Sequence, residues 1–302
     1  MSQSAAGLSR RSSPILPSSR GLRIHGSPTP SGRALPLTFL REYTFLWPAL
    51  VGGLALGVAG ALIGIFLILR RDSLLPHALT HVALVGVALG FLTTRWPLLW
   101  ALGVTVLAAF AVLEIRERAG IYEDTAVGIL AGLGMALALV LASVAGSYDV
   151  RLLSYLFGNI LALSASEALL AVALAFLVAG VLASRGEALF FVAFDEESAA
   201  TCGLRVRLLK FWLAALTAAL VVLGMRMVGL LLVSALMVIP GAAALEIAHG
   251  LRQCYLFSAL FGALSVLGGL AAAVLFNLPP SGAIVLFSGL LFLLSFGLRR
   301  LK

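Results

Sequence analysis

Between residues 46 and 298 the chain is a succession of long apolar runs separated by short polar or basic turns. About 20 apolar residues suffice for a helix to cross the hydrocarbon core of a bilayer. Inside lipid each backbone N–H and C=O must find a partner within its own segment, so such runs can only be helices. The runs fall near 46–69, 74–92, 97–113, 124–145, 166–183, 209–225, 227–249, 254–276 and 282–298. This pattern predicts an all-α polytopic transmembrane helical bundle of eight to nine spans. Composition agrees: 61% of residues are hydrophobic and 11% charged, against about 25% charged in a soluble domain. A soluble enzyme is thereby excluded. The net charge of +8 comes from arginines between the runs and in the N-terminal segment, so it reports topology and predicts no nucleic-acid partner.

Residues 1–41 carry Ser, Pro, Gly and arginines (Arg10, Arg11, Arg20, Arg23, Arg33 and Arg41) without apolar periodicity. That composition predicts a disordered basic tail, leaving 42–302 as the transmembrane domain. The stretch 151–163 is too short to span and suits a re-entrant or interfacial helix. Arg70, Arg71, Arg116, Arg118, Arg185, Arg205, Arg207, Lys210, Arg252, Arg299, Arg300 and Lys302 fall on one face, and only Arg95, Arg151 and Arg226 on the other. Lysine and arginine prefer cytoplasmic loops, so the first face is expected inside, together with the loop 184–208 and the C-terminus. Nine spans place the tail outside and eight return it to the cytoplasm.

Within the spans, glycines such as Gly57, Gly64, Gly86 and Gly134 are expected to let helices approach closely. Pro240-Gly241 should kink or interrupt the seventh run, because proline removes a backbone hydrogen bond. Ionisable residues are costly in a bilayer and mark pathways or sites. His77 and His81 stand one helical turn apart on one face, a spacing at which two imidazoles can share a metal ion; a hydrogen-bonded pair without metal has the same spacing. Glu246 and His249, three apart after Pro240, sit at a similar depth beside the basic face and complete a candidate cluster of four. Glu246 also reads as a solvated helix end. A zinc protease of the His-Glu-x-x-His type is disfavoured because Ala78 stands where the general base belongs. Cys202 and Cys254 are too few for a thiolate zinc cluster. No Gly-x-x-x-x-Gly-Lys-Ser/Thr loop is present, so ATP cannot be bound by that motif. Asp195-Glu196-Glu197, followed by Gly203, reads as a short helix with acidic residues at its positive end and a glycine closing it; caps alone also fit an ordinary loop. Asp124 reads as a cap for the fourth span.

Taken in order, six stretches resemble the membrane permease subunit of the zinc/manganese/iron ABC importer family. They are His77 to Gly90, Asp124 to Ile129, Leu153 to Ile160, Phe194 through Glu197 to Gly203, Met227 through Ser234 to Pro240, and Pro280-Ser281-Gly282. The similarity runs from about 46 to 298. His81 occupies the family's histidine position, His77 stands where many members have aspartate, and His249 lies near an acidic position of a later helix. Gln253 falls where some manganese-type members carry another histidine, and Glu246 has no family counterpart.

The resemblance implies a subunit of the bacterial cytoplasmic (inner) membrane that performs no chemical transformation. Its partners would be cytoplasmic ABC ATPase subunits, an extracytoplasmic metal-binding protein, a second permease subunit in a homodimer or pseudo-dimer, and the lipid bilayer around it. Asp195, Glu196, Glu197 and Gly203 match the family's coupling helix in the loop near 190–208. No cofactor is expected to be bound permanently. The transported ion is expected to be zinc, with manganese or iron next, since imidazole suits zinc. An ion-coupled secondary metal carrier is the alternative, and it lacks a readable chain of buried carboxylates.

Overall fold

The computed structural model describes residues 46–93, 96–119, 123–145, 155, 156, 158 and 160–300. The expected N-terminal tail and most of 151–159 lie outside the described residues. All described regular structure is helical. The long helices are α1 (Leu46–Leu69), α2 (Leu75–Leu92), α3 (Pro97–Ala119), α4 (Glu123–Val144), α5 (Ala165–Phe194), α7 (Val206–Met227), α8 (Leu230–Ile247), α9 (Leu251–Phe276) and α10 (Pro280–Arg300), with a short α6 at Glu196–Thr201. Eight of them are long and apolar enough to cross a membrane, and α8 is apolar and shorter over Leu232–Ile247.

Helix boundaries follow local chemistry. Pro76 stands in the first turn of α2, where its missing N–H costs nothing. Ser164 and Glu167 form a reciprocal capping box at the start of α5, satisfying two otherwise orphaned donors. Asn277 closes α9 in the left-handed conformation, which asparagine tolerates. Two helices outrun their apolar segments. α5 has 30 residues and so extends about 45 Å, and α3 continues through Glu114, Arg116, Glu117 and Arg118. The stretch 184–194, expected as loop, is therefore helix. Charge ended the apolar run there, but Ala, Leu, Glu and Arg remain good helix formers.

Ion pairs identify two ends of the bundle. At the basic end Arg116 pairs with Asp72, Arg207 with Glu114 at 2.5 Å, and Arg299 with Glu246 at 2.7 Å. At the opposite end Arg226, late in α7, reaches Glu167, early in α5, at 2.5 Å. α1, α2 and α7 are largely enclosed by the other helices, whereas α3, α4, α5, α9 and α10 expose most of their surface. Their outward faces carry Leu107, Leu133, Phe176, Leu275 and Leu286, as lipid contact requires.

Of the kink or interruption expected at Pro240, an interruption does not occur: α8 runs from Leu230 to Ile247 with Pro240 inside it. Proline removes the hydrogen bond to the carbonyl of Leu236, and packing on α1 holds the segment in place. Gly64 of α1 lies so close to α8 that a Cβ there would meet the Met237 carbonyl oxygen at 2.0 Å, and Gly241 faces the Gly64 backbone in return. Backbone cannot retreat as a side-chain tip can, so Gly64→Ala should cost about 1–3 kcal/mol or more. We expect this variant to lose monodisperse protein in detergent, while Gly103→Ala, which meets nothing within 4 Å, should behave as wild type. Size-exclusion chromatography of the two variants tests this.

Candidate metal transit site and coupling element

The histidine pair sits on α2, an enclosed helix, just inside the basic end. His77 is exposed and His81, one turn deeper, is half-buried. Their Nε2 atoms are 3.4 Å apart, with ring centroids at 4.8 Å and planes at 87°. At this distance one ring can donate to the other. The spacing also has a metal reading. Two nitrogens bound at 2.0–2.1 Å with a tetrahedral angle lie roughly 3.3–3.4 Å apart. His81 Nδ1 is buried without a hydrogen-bond partner among the described residues. Thr80 donates to the His77 carbonyl at 2.6 Å, fixing that side chain within its own helix. α4 passes directly over the pair's backbone: a Cβ on Gly134 would meet Val82 at 3.0 Å and the His81 carbonyl carbon at 3.4 Å.

Glu246 and His249 are not brought to this pair. Glu246, at the end of α8, accepts from Arg299 of α10 at 2.7 Å, and His249 donates its backbone N–H to Gln253 Oε1 at 3.1 Å. Among the described residues no three of His, Cys, Asp and Glu are grouped to hold a metal ion. The four-member cluster expected from depth is thus a pair plus two separate groups. Depth fixed the level of each residue along the membrane normal and carried no information about azimuth around the helices.

The acidic segment folds as its composition suggests. Asp195 caps α6, accepting the Ser198 N–H at 2.9 Å and the Ser198 hydroxyl at 2.5 Å. These hydrogen bonds hold its carboxyl below the usual aspartate range. A depressed carboxyl stabilises the fold above its unfolded pKa, and that stability is lost as pH falls through the folded value. The α6 amides should therefore gain exchange protection as pH rises through the acid range, and Asp195→Asn should flatten the change in hydrogen exchange. Gly203, at φ 82°, closes the helix with its N–H on the Ala200 carbonyl, a conformation that favours glycine. Glu197 is exposed. Glu196 pairs with Lys210 of α7, which also reaches Glu117 of α3 at 3.1 Å.

That bridge, and the pairing of buried Asp72 with Arg116 and with Arg70 at 3.5 Å, were not nominated from sequence. The available signal was a single lysine one turn into an apolar span and one aspartate in an otherwise basic turn.

Comparison with known proteins follows the same lines. The ABC 3 transport family profile matches residues 42–299. The chain belongs to the ABC 3 transport family. It is a multi-pass membrane permease subunit and not itself an enzyme. Its relatives include the manganese transport system membrane protein MntC of Listeria innocua, 32% identical over 85% of this chain and 91% of that one. Another is the high-affinity zinc uptake system membrane protein of Haemophilus influenzae, 28% identical over 84% of this chain and 97% of that one. Among solved structures, PsaBC from Streptococcus pneumoniae in complex with Fab superposes with a TM-score of 0.78 at 31% identity, covering 86% of this chain and 94% of that one.

Proposed function

We propose that this ABC 3 family member is the permease of an ATP-driven importer of a divalent transition metal ion, zinc in the first place, in the bacterial cytoplasmic membrane. The basic end is cytoplasmic by the preference of lysine and arginine for that side. The observation that carries the reading is the His77–His81 pair, whose Nε2 separation of 3.4 Å suits two ligands of one tetrahedral ion. Manganese and zinc relatives both occur, and the nitrogen donors favour zinc.

Ligation through both Nε2 atoms puts a proton on each Nδ1. For His81 that N–H has no acceptor among the described residues, whereas a resident metal site fixes such a proton with a second partner. A pair lacking that support binds weakly, as a transit site must in order to release its ion. His249 and Glu246 stand at the same end as secondary donors, and Glu246 must first leave Arg299. An extracytoplasmic binding protein delivers the ion, a second copy of the chain completes the pathway, and ATPase subunits dock at α6.

Uptake of zinc into vesicles containing the chain with its ATPase subunits and binding protein should require ATP, and the chain alone should hydrolyse none. Glu197→Lys should weaken ATPase co-purification several-fold without lowering the amount inserted. Metal uptake by the chain alone, driven by a proton or sodium gradient, would establish the secondary-carrier reading instead.

A further inference from the structure

Lys210 is a buried cation to which the transit site assigns no task. It is 7% exposed, although the ammonium group is strongly hydrated and expensive to bury. Its Nζ bridges two carboxylates on different elements, Glu196 at the start of α6 and Glu117 in the last turn of α3, the latter at 3.1 Å. The residue before Glu117 is Arg116, which holds Asp72, itself 3% exposed. The Asp72 carbonyl in turn accepts the Leu75 N–H at 3.0 Å, the first residue of the helix that carries His77 and His81. A cavity of about 360 Å³ lies against this run, lined by Arg70, Arg116, Glu117, Glu196 and Lys210. The cleft adjoins the ion pair by which Glu196 ties α6 to α7.

We infer that Lys210 is the positioning residue that ties displacement of α6 to the histidine helix α2, through Glu117 and Arg116 to Asp72. This rests on the reading of α6 as the element on which the ATPase acts. The physical basis is that a buried charge cannot leave its partners without large cost. When α6 moves into the adjoining space, Lys210 has to keep Glu196 and Glu117 together or lose one of them. α3 is thereby drawn with α6, and the Arg116–Asp72 pair passes the shift to the start of α2. A neutral residue of equal length would fill the same volume and transmit nothing. The alternative role for the bridge is a fixed staple, which would affect assembly but leave the coupling of ATP to transport unchanged.

The test uses the assembled transporter in vesicles, with zinc ions transported per ATP hydrolysed as the readout. Lys210→Met should lower that ratio at least about fivefold, the low end of ordinary coupling between sites, while ATPase subunits still co-purify. Lys210→Arg should restore the ratio to within about twofold, because charge and reach are kept. Should Lys210→Met fail to assemble, Glu117→Gln carries the test, since it leaves the Lys210–Glu196 pair and removes the charge that attracts Lys210 to α3. A lowered ratio supports the inference. An unchanged ratio in an assembled Lys210→Met or Glu117→Gln complex overturns it, as does Lys210→Arg failing as badly as Lys210→Met. Failure of the underlying reading looks different: the wild-type complex itself would then move no zinc on ATP.

Discussion

Replacing His81 with alanine is expected to abolish zinc uptake while leaving the amount of protein in the membrane unchanged. Its imidazole is half-buried on an enclosed helix and supplies one of two nitrogens 3.4 Å apart. Loss of a supporting partner alone costs roughly 10–100-fold in metal affinity at established sites, so loss of a ligand should reach or exceed that range. Folding should survive, because among the described residues His81 makes no hydrogen bond to another helix: its polar partner there is His77, and its Nδ1 has none. Glu246→Gln and His249→Ala should have smaller effects, since neither residue is assembled with the pair. Uptake of radioactive zinc into cells held under chelation, normalised to membrane protein, measures all three. Wild-type uptake by His81→Ala would place the transit site elsewhere.

Legibility of this fold in its sequence varied with the physical signal. Apolar length is nearly sufficient for a membrane helix, and the nine apolar runs correspond one for one to α1–α5 and α7–α10. α8 is the informative case. Its Pro240 suggested a kink or an interruption, and the helix is continuous through it, because the cost of one lost hydrogen bond is local while the close approach to Gly64 extends along the helix. The histidine pair was equally legible, since one turn of helix fixes both its spacing and its face. Glu246 was not. Its nomination assumed that equal depth meant proximity, and the nearby counter-charge is Arg299, 53 positions later in the chain. The bridge at Lys210 was hidden for the same reason: its partners, Glu117 and Glu196, come from α3 and α6, and sequence periodicity relates residues only within one helix.

His77→Asp is expected to shift uptake from zinc toward manganese by about tenfold, equivalent to about 1.4 kcal/mol in relative preference. The pair offers two nitrogens at a separation suited to tetrahedral coordination, the geometry zinc adopts, whereas oxygen donors favour harder ions such as manganese. His77 is the position at which to exchange one for the other. It is exposed, so a carboxylate there carries little burial cost, and among the described residues its ring contact is with His81. A carboxylate is also shorter than an imidazole, which widens the gap to His81 Nε2 and admits an ion that takes more ligands and water. The change should leave insertion and ATP dependence intact, since Asp72, Arg116 and Lys210 lie outside it. Competition between zinc and manganese, in vesicles supplied with the ions directly and again with the delivering protein present, separates two sources of selectivity. A preference that moves only when ions are supplied directly would assign selection in the complete system to the delivering protein. One that moves in neither case would show that His77 does not contact the ion.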